Sequence, residues 1–136
     1  MSYAGQMLGS YPSGFKLHAD AEVLAEVIEA AAECAQACDA DIDADLAEPQ
    51  LTEMVTCIRL CQDCDDICAV VASVLSRPAS WDLRVVRPLL EACIAICQTC
   101  GDECERHAPR HAHCRVCAEA CRRCEQTCRK FLTITN

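Results

Sequence analysis

The sequence predicts an all-α protein, an antiparallel four-helix bundle with a cysteine-lined core. Two observations carry this. The first is the spacing of fifteen cysteines in 136 residues. Cys57, Cys61, Cys64 and Cys68 step by four, three and four, and Cys93, Cys97, Cys100 and Cys104 repeat that pattern. Cys114, Cys117, Cys121, Cys124 and Cys128 extend it, and Cys34 and Cys38 form a shorter version. Steps of three and four keep side chains on one face of a helix. At about 100° per residue, Cys57 to Cys68 stay within a stripe roughly 60° wide. The second observation is that these stripes lie on four segments of roughly 25 residues joined by short turns, the pattern of an up-down-up-down bundle.

Each element follows in order. Residues 1–17 carry Gly5, Gly9, Ser10, Pro12, Ser13 and Gly14, which is loop chemistry. They form a flexible or packing N-terminal segment, in which Met7, Tyr11 and Phe15 recur every four residues. Residues 18–136 form the bundle. Its first helix runs from about Asp20 to Asp45, with Val23, Val27, Ala30 and Ala31 on the stripe of Cys34 and Cys38. Extended downwards, that stripe reaches Asp41 and Asp45. The turn at Ala47–Glu48–Pro49 opens the second helix, with Pro49 expected in its first turn. That helix carries Met54, four cysteines, Val71, Ala72 and Leu75, and stops before Arg77–Pro78. Ser80 or Asp82 caps the third helix, and Pro88 inside it predicts a kink or a broken first segment. Trp81 is expected to anchor the loop. The third helix ends around His107–Ala108–Pro109, and the fourth spans about Arg110 to Leu132.

The antiparallel order gives the bundle two unlike ends. Val23, Val27, Val71, Leu75, Leu83, Val86, Leu90, Phe131 and Leu132 gather at one, which should be dry and closed. Asp41, Asp45, Met54, His107, His111 and His113 gather at the other, which has metal-ligand chemistry.

Composition excludes several classes. The formal net charge is −9, and phosphate binding needs a basic surface, so nucleic acid is not a partner. No segment approaches about 18 uninterrupted apolar residues, so no membrane span is expected. Met1 to Lys16 lack the basic and apolar regions of a signal peptide, so the protein is expected in the cytoplasm, where thiols stay reduced. Residues 1–68 hold fourteen acids and two bases, whereas residues 69–136 hold seven acids and ten bases. The two halves can pair within the chain or between subunits.

A single cysteine on an apolar helix face is ordinary packing. Fifteen in phase are not, because leucine or valine would pack better and resist oxidation. Disulfides along one helix are unfavourable, since Cβ atoms four residues apart lie about 5–6 Å from one another and a disulfide needs about 3.5–4.5 Å. Bridges between helices are expected only from oxidation in air. Soft thiolates select Cu(I), zinc or iron–sulfur clusters. Zinc prefers closed tetrahedral sets, and clusters sit on loops that wrap them, whereas a continuous stripe suits Cu(I), which accepts two or three ligands and shares them along a line. One monovalent ion per thiolate also leaves the core neutral, so roughly one Cu(I) per cysteine is expected. His107 and His111 continue the inward stripes of Cys104 and Cys114 and are candidate ligands. His113 lies off the stripe and completes the group. Met54 is read as a core methionine and His18 as a structural or surface residue.

These runs resemble those of the bacterial copper storage proteins, over about residues 20–132. The resemblance is to their cytosolic subclass. It implies a homotetramer whose bundles hold thiolate-bound Cu(I) on all the inward cysteines, with copper passing through a His-containing open end that His107, His111 and His113 match. The expected function is Cu(I) storage and sequestration, not catalysis. Copper ions are the ligand, and donor or acceptor proteins or small thiols are possible partners. The alternative is an iron–sulfur electron carrier. A copper-sensing regulator would need a basic DNA-binding face, which pI ≈ 4.8 opposes.

Overall fold

The computed structural model describes residues 2–135. A short helix α1 (Tyr3–Gly9) precedes four long ones, α2 (Ala21–Leu46), α3 (Val55–Leu75), α4 (Leu83–His107) and α5 (Ala112–Ile134). Short 3-10 turns at Leu51–Met54 and Pro78–Ser80 lead into α3 and α4. Successive long helices run antiparallel. α2 packs on α3, α3 on α4, α4 on α5, and α5 closes the ring against α2. The four-helix bundle that the cysteine spacing predicts is therefore formed, with one additional short helix.

Local chemistry sets the helix ends. The Asp20 carboxylate accepts from the backbone N–H of Glu22 at 2.9 Å and of Val23 at 3.1 Å, which satisfies two donors at the start of α2. Asp82, not Ser80, caps α4, accepting from Arg84 N–H at 2.9 Å. Pro49 does not enter the first turn of a helix. It stays in the connection, and α3 begins at Val55 after the Leu51–Met54 turn. Its ring disfavours helical backbone at Glu48, so the chain must leave α2 before turning back. Pro88 does not break α4, which runs unbroken through it. Only the bond to the Arg84 carbonyl is lost, and both residues are exposed, so water serves that carbonyl.

The segment ahead of the bundle is more ordered than its composition suggests. Ser2 caps α1 through Gly5 N–H at 3.2 Å, and Ala4 and Leu8 pack against the core. Tyr11 stacks at a tilt on Phe15, with ring centroids 4.9 Å apart, and its hydroxyl donates to the Ser76 carbonyl at 3.4 Å. Met7, the third member of that spacing, is exposed.

Opposite charges of the two halves meet across α2 and α5, where Arg123 pairs with Glu33 and Lys130 with Glu26. Between α4 and α5, Arg122 lies across Gly101 and pairs with Asp102 at 2.6 Å and Glu105 at 2.8 Å. A Cβ at Gly101 would stand 2.9 Å from Arg122 Nη1, so any larger residue there would push the guanidinium off its present course.

The closed end is packed as the stripes predict. Val23, Val27, Val71, Leu75, Val86, Leu90 and Phe131 are buried, while Leu83 and Leu132 are partly buried against them. Trp81 meets Phe131 edge to face at 5.8 Å and donates to the Val74 carbonyl at 3.2 Å, fixing the α3–α4 loop. Phe131→Ala should therefore destabilise the reduced, metal-free protein by about 3–5 kcal/mol in chemical denaturation. Leu132→Ala, at the edge of the same cluster, should cost clearly less.

Candidate metal centre

The four stripes converge on one interior column. All fifteen cysteines are free and buried. From the open end inwards, the Sγ atoms fall into overlapping sets. Asp41, Cys57, Cys61 and Cys104 form the outermost, followed by Cys38, Cys61, Cys100 and Cys117, then Cys34, Cys38, Cys64 and Cys121. Cys34, Cys68, Cys97 and Cys124 come next, and Cys93, Cys124 and Cys128 lie deepest. Within each set the ligand atoms lie within 4.8 Å of one another. Cys61, Cys38, Cys34 and Cys124 each belong to two sets. The column is therefore continuous: Cys38, Cys61, Cys100 and Cys117 share no sulfur with Cys34, Cys68, Cys97 and Cys124, but closing those two sets as separate tetrahedra would leave seven of the fifteen cysteines outside them.

Neighbouring sulfurs stand between 3.6 Å, for Cys68 and Cys97, and 4.0 Å, for Cys57 and Cys61. These separations are too long for disulfides, whose sulfurs lie about 2.05 Å apart. They are slightly shorter than the span of about 4.6 Å that two metal–thiolate bonds of about 2.3 Å allow when collinear. Without metal, burial disfavours the thiolate throughout the column, while contacts between neighbouring thiols favour it at some positions and oppose it at others. The Cys97 thiol is pushed up by its contacts with Cys124, Cys34, Cys64 and Cys68 and by burial, and Cys128 by Cys124, Cys93 and burial.

The open end adds carboxylates and imidazoles. Asp41 is buried, and its Oδ2 accepts from Cys61 at 3.5 Å, Cys57 at 3.6 Å and Cys104 at 3.7 Å. Its Oδ1 faces Nδ1 of His113 at 2.6 Å. Asp45 accepts from Cys114 at 3.6 Å through Oδ1, while its buried Oδ2 has no partner. The Nε2 of His107 pairs with Glu103 at 2.9 Å, leaving Nδ1 buried and unpartnered. His111 Nδ1 and His113 Nε2 both reach Glu48 Oε2, at 2.9 and 2.7 Å. The rings of His107, His111 and His113 follow one another at centroid distances of 6.3 and 5.5 Å.

The stripe thus places Asp41, Asp45, His107 and His111 correctly at the open end. His113, off the stripe, reaches the same end through Asp41. Met54 is buried in the core, and His18 is exposed. Two residues of this end escape the sequence reading. Glu103 lies four residues before His107 and could have been found by that spacing. Glu48 sits in a turn, where no period points to it.

Electrostatics at this end are unequal. Burial, then contact with Cys57, pushes the Asp45 carboxyl up to about 8. Burial also raises Asp41, against the pull of His113. At His113 burial opposes the charge, but the hydrogen bonds it donates to Glu48 and Asp41 prevail and its pKa is raised. Contact with His113 lowers Glu48.

Residues 20–133 match the family model described as copper storage protein. The chain belongs to that family. Among solved copper storage proteins it resembles Ccsp from Streptomyces lividans loaded with ten copper equivalents, at 47% identity and a TM-score of 0.91. That match covers 97% of this chain and 99% of the other. A five-copper form, described as a cytosolic copper storage protein of the same organism, matches at 50% identity and a TM-score of 0.83, over 85% and 96% of the two chains. The Cu(I)-bound copper storage protein BsCsp3 matches at 33% identity and a TM-score of 0.69, over 77% and 93%. No curated protein sequence matches significantly.

The Asp45 carboxyl gives a pH test of the metal-free protein. Its folded pKa of about 8 lies above the ordinary 3.8. The native state therefore holds the extra proton, and this group's contribution is full below about pH 4 and lost as pH rises through its folded pKa. Asp45→Asn, which stays neutral, should flatten the fall in stability over that window in denaturation curves of the reduced protein. An unchanged slope would remove Asp45 as its source.

Proposed function

We propose that the chain is a cytosolic store for Cu(I), holding about one ion per cysteine inside the bundle. The observation that carries this is the sharing of Cys34, Cys38, Cys61 and Cys124 between neighbouring sulfur sets. A soft ion that accepts two or three ligands fills such a column, whereas zinc needs four ligands of its own. An iron–sulfur carrier has no comparable support, because its clusters also need separate sets. Each incoming Cu(I) takes the place of one thiol proton, so the interior stays neutral at every stage of filling.

The route for copper is the open end. His107 offers an unpartnered Nδ1 one turn beyond Cys104, and His111 lies beside it. Both serve as transient ligands on the way to the outermost thiols, and His113 positions Asp41 beneath them. The reading is of storage, with copper as cargo and no reaction catalysed. Copper comes from and returns to donor or acceptor proteins or small thiols. The assembly is a homotetramer, a reading supported by exposed Tyr3 and Met7 on α1 and by Val70, Val85 and Val116 on the outer helix faces.

Anaerobic titration of the reduced protein with Cu(I) against a competing chelator should saturate near about one ion per cysteine. Saturation at one or two ions per chain would overturn the storage reading. In the same assay, His107→Ala combined with His111→Ala should slow loading and removal by about tenfold, an added barrier of about 1.4 kcal/mol, with capacity nearly unchanged. Loading at the original rate would place the route elsewhere.

A further inference from the structure

The open end carries a second donor set whose chemistry differs from that of the sulfur column. Glu48 Oε2 lies 2.9 Å from His111 Nδ1 and 2.7 Å from His113 Nε2. Glu48 comes from the α2–α3 connection, His111 from the N-cap of α5 and His113 from its first turn. Their side chains are 24, 16 and 27% exposed, so a hydrated ion reaches them directly. Imidazole nitrogen and carboxylate oxygen suit borderline divalent cations and offer Cu(I) far less than the thiolates of the column do.

Two further observations point to a cation here. His113 is held from behind, with its Nδ1 2.6 Å from buried Asp41 Oδ1. A carboxylate on the far ring nitrogen is the usual way a metal-binding histidine is oriented, and it aims Nε2 outwards at Glu48. Beside it, Asp45 Oδ1 is 3.5 Å from His113 Nδ1, and its Oδ2 is fully buried without a partner.

We propose that His111 Nδ1, His113 Nε2 and the Glu48 carboxylate form a binding site for one borderline divalent cation of the Zn²⁺ class, at the rim of the opening and separate from the copper column. The ion enters between the Glu48 oxygen and the two rings, and protons held on those ring nitrogens leave to solvent. Metal–ligand bonds of about 2.0–2.2 Å require Glu48, a partly exposed loop side chain, to swing aside. When occupied, the site ties the α2–α3 connection to the start of α5 and sets a positive charge beside the path of Cu(I). It thereby acts as a brake on copper passage. The site itself stands apart from the storage reading, and only the brake rests on it.

The test uses the full chain loaded anaerobically with Cu(I), so that the thiols are taken, and Co²⁺ as the probe. The copper count is read first, and a low count is a failure of the storage reading alone. Dialysis against Co²⁺ should then leave one Co²⁺ per chain, with weak ligand-field bands and no thiolate charge-transfer band. His113→Ala and Glu48→Gln should each weaken cobalt binding by about tenfold or more, and His107→Ala should not. Bound Co²⁺ should also slow removal of Cu(I) by a chelator. Absence of cobalt from the loaded chain, a thiolate band on the cobalt, or unchanged affinity in both rim variants would overturn the site. Unchanged copper removal with cobalt bound would overturn the brake.

Discussion

A thiol can be buried as a nearly apolar group and still become an anion when a cation arrives. The whole structure depends on that dual character. A core of fifteen carboxylates or imidazoles would not fold without its ions, because desolvated charge and unpaired polar atoms are too costly. A core of leucines would fold and bind nothing. Cysteine allows the bundle to assemble first and to change its contents later. Burial works in the same direction, since it disfavours the thiolate, and at Cys97 and Cys128 neighbouring thiols add to it.

The same constraint accounts for the polarity of the bundle. Metal needs a wet opening, and a column open at both ends would leave too little apolar core to hold the helices together. Phe131, Trp81 and the surrounding aliphatic residues supply that core at one end. At the other, Asp41 bridges two kinds of chemistry, with one oxygen towards Cys57, Cys61 and Cys104 and the other towards His113. A buried carboxylate in that place is costly, and its four partners offset the cost. The helices provide the scaffold, while the acids and imidazoles at their ends give the opening its character.

Most of this was legible in the sequence because it is periodic. Steps of three and four placed every cysteine inside, and continuing the stripe of Cys38 by three and then four residues reached Asp41 and Asp45, both buried. Features governed by tertiary contact were not legible. Helix α1 contains Gly5 and is followed by further loop-forming residues, yet the packing of Ala4 and Leu8 stabilises it. Pro88 reads as a helix breaker, but its ring and the carbonyl it strands both face water. Glu48 belongs to a turn and is recruited only because α5 begins opposite it. His113 is off the stripe and is drawn in by a carboxylate on another helix.

Shared sulfurs in a column with a single opening also fix an order. An ion deep at Cys93, Cys124 and Cys128 must pass every set above it to leave, whereas one held by Cys57, Cys61 and Cys104 has only the histidines ahead of it. Such a reservoir works last in, first out. Its outer ions follow rapid changes in demand, and its inner ions are released only after sustained depletion. A column filled and emptied through that one end would separate a fast-exchanging from a slow-exchanging pool of the same metal by depth alone.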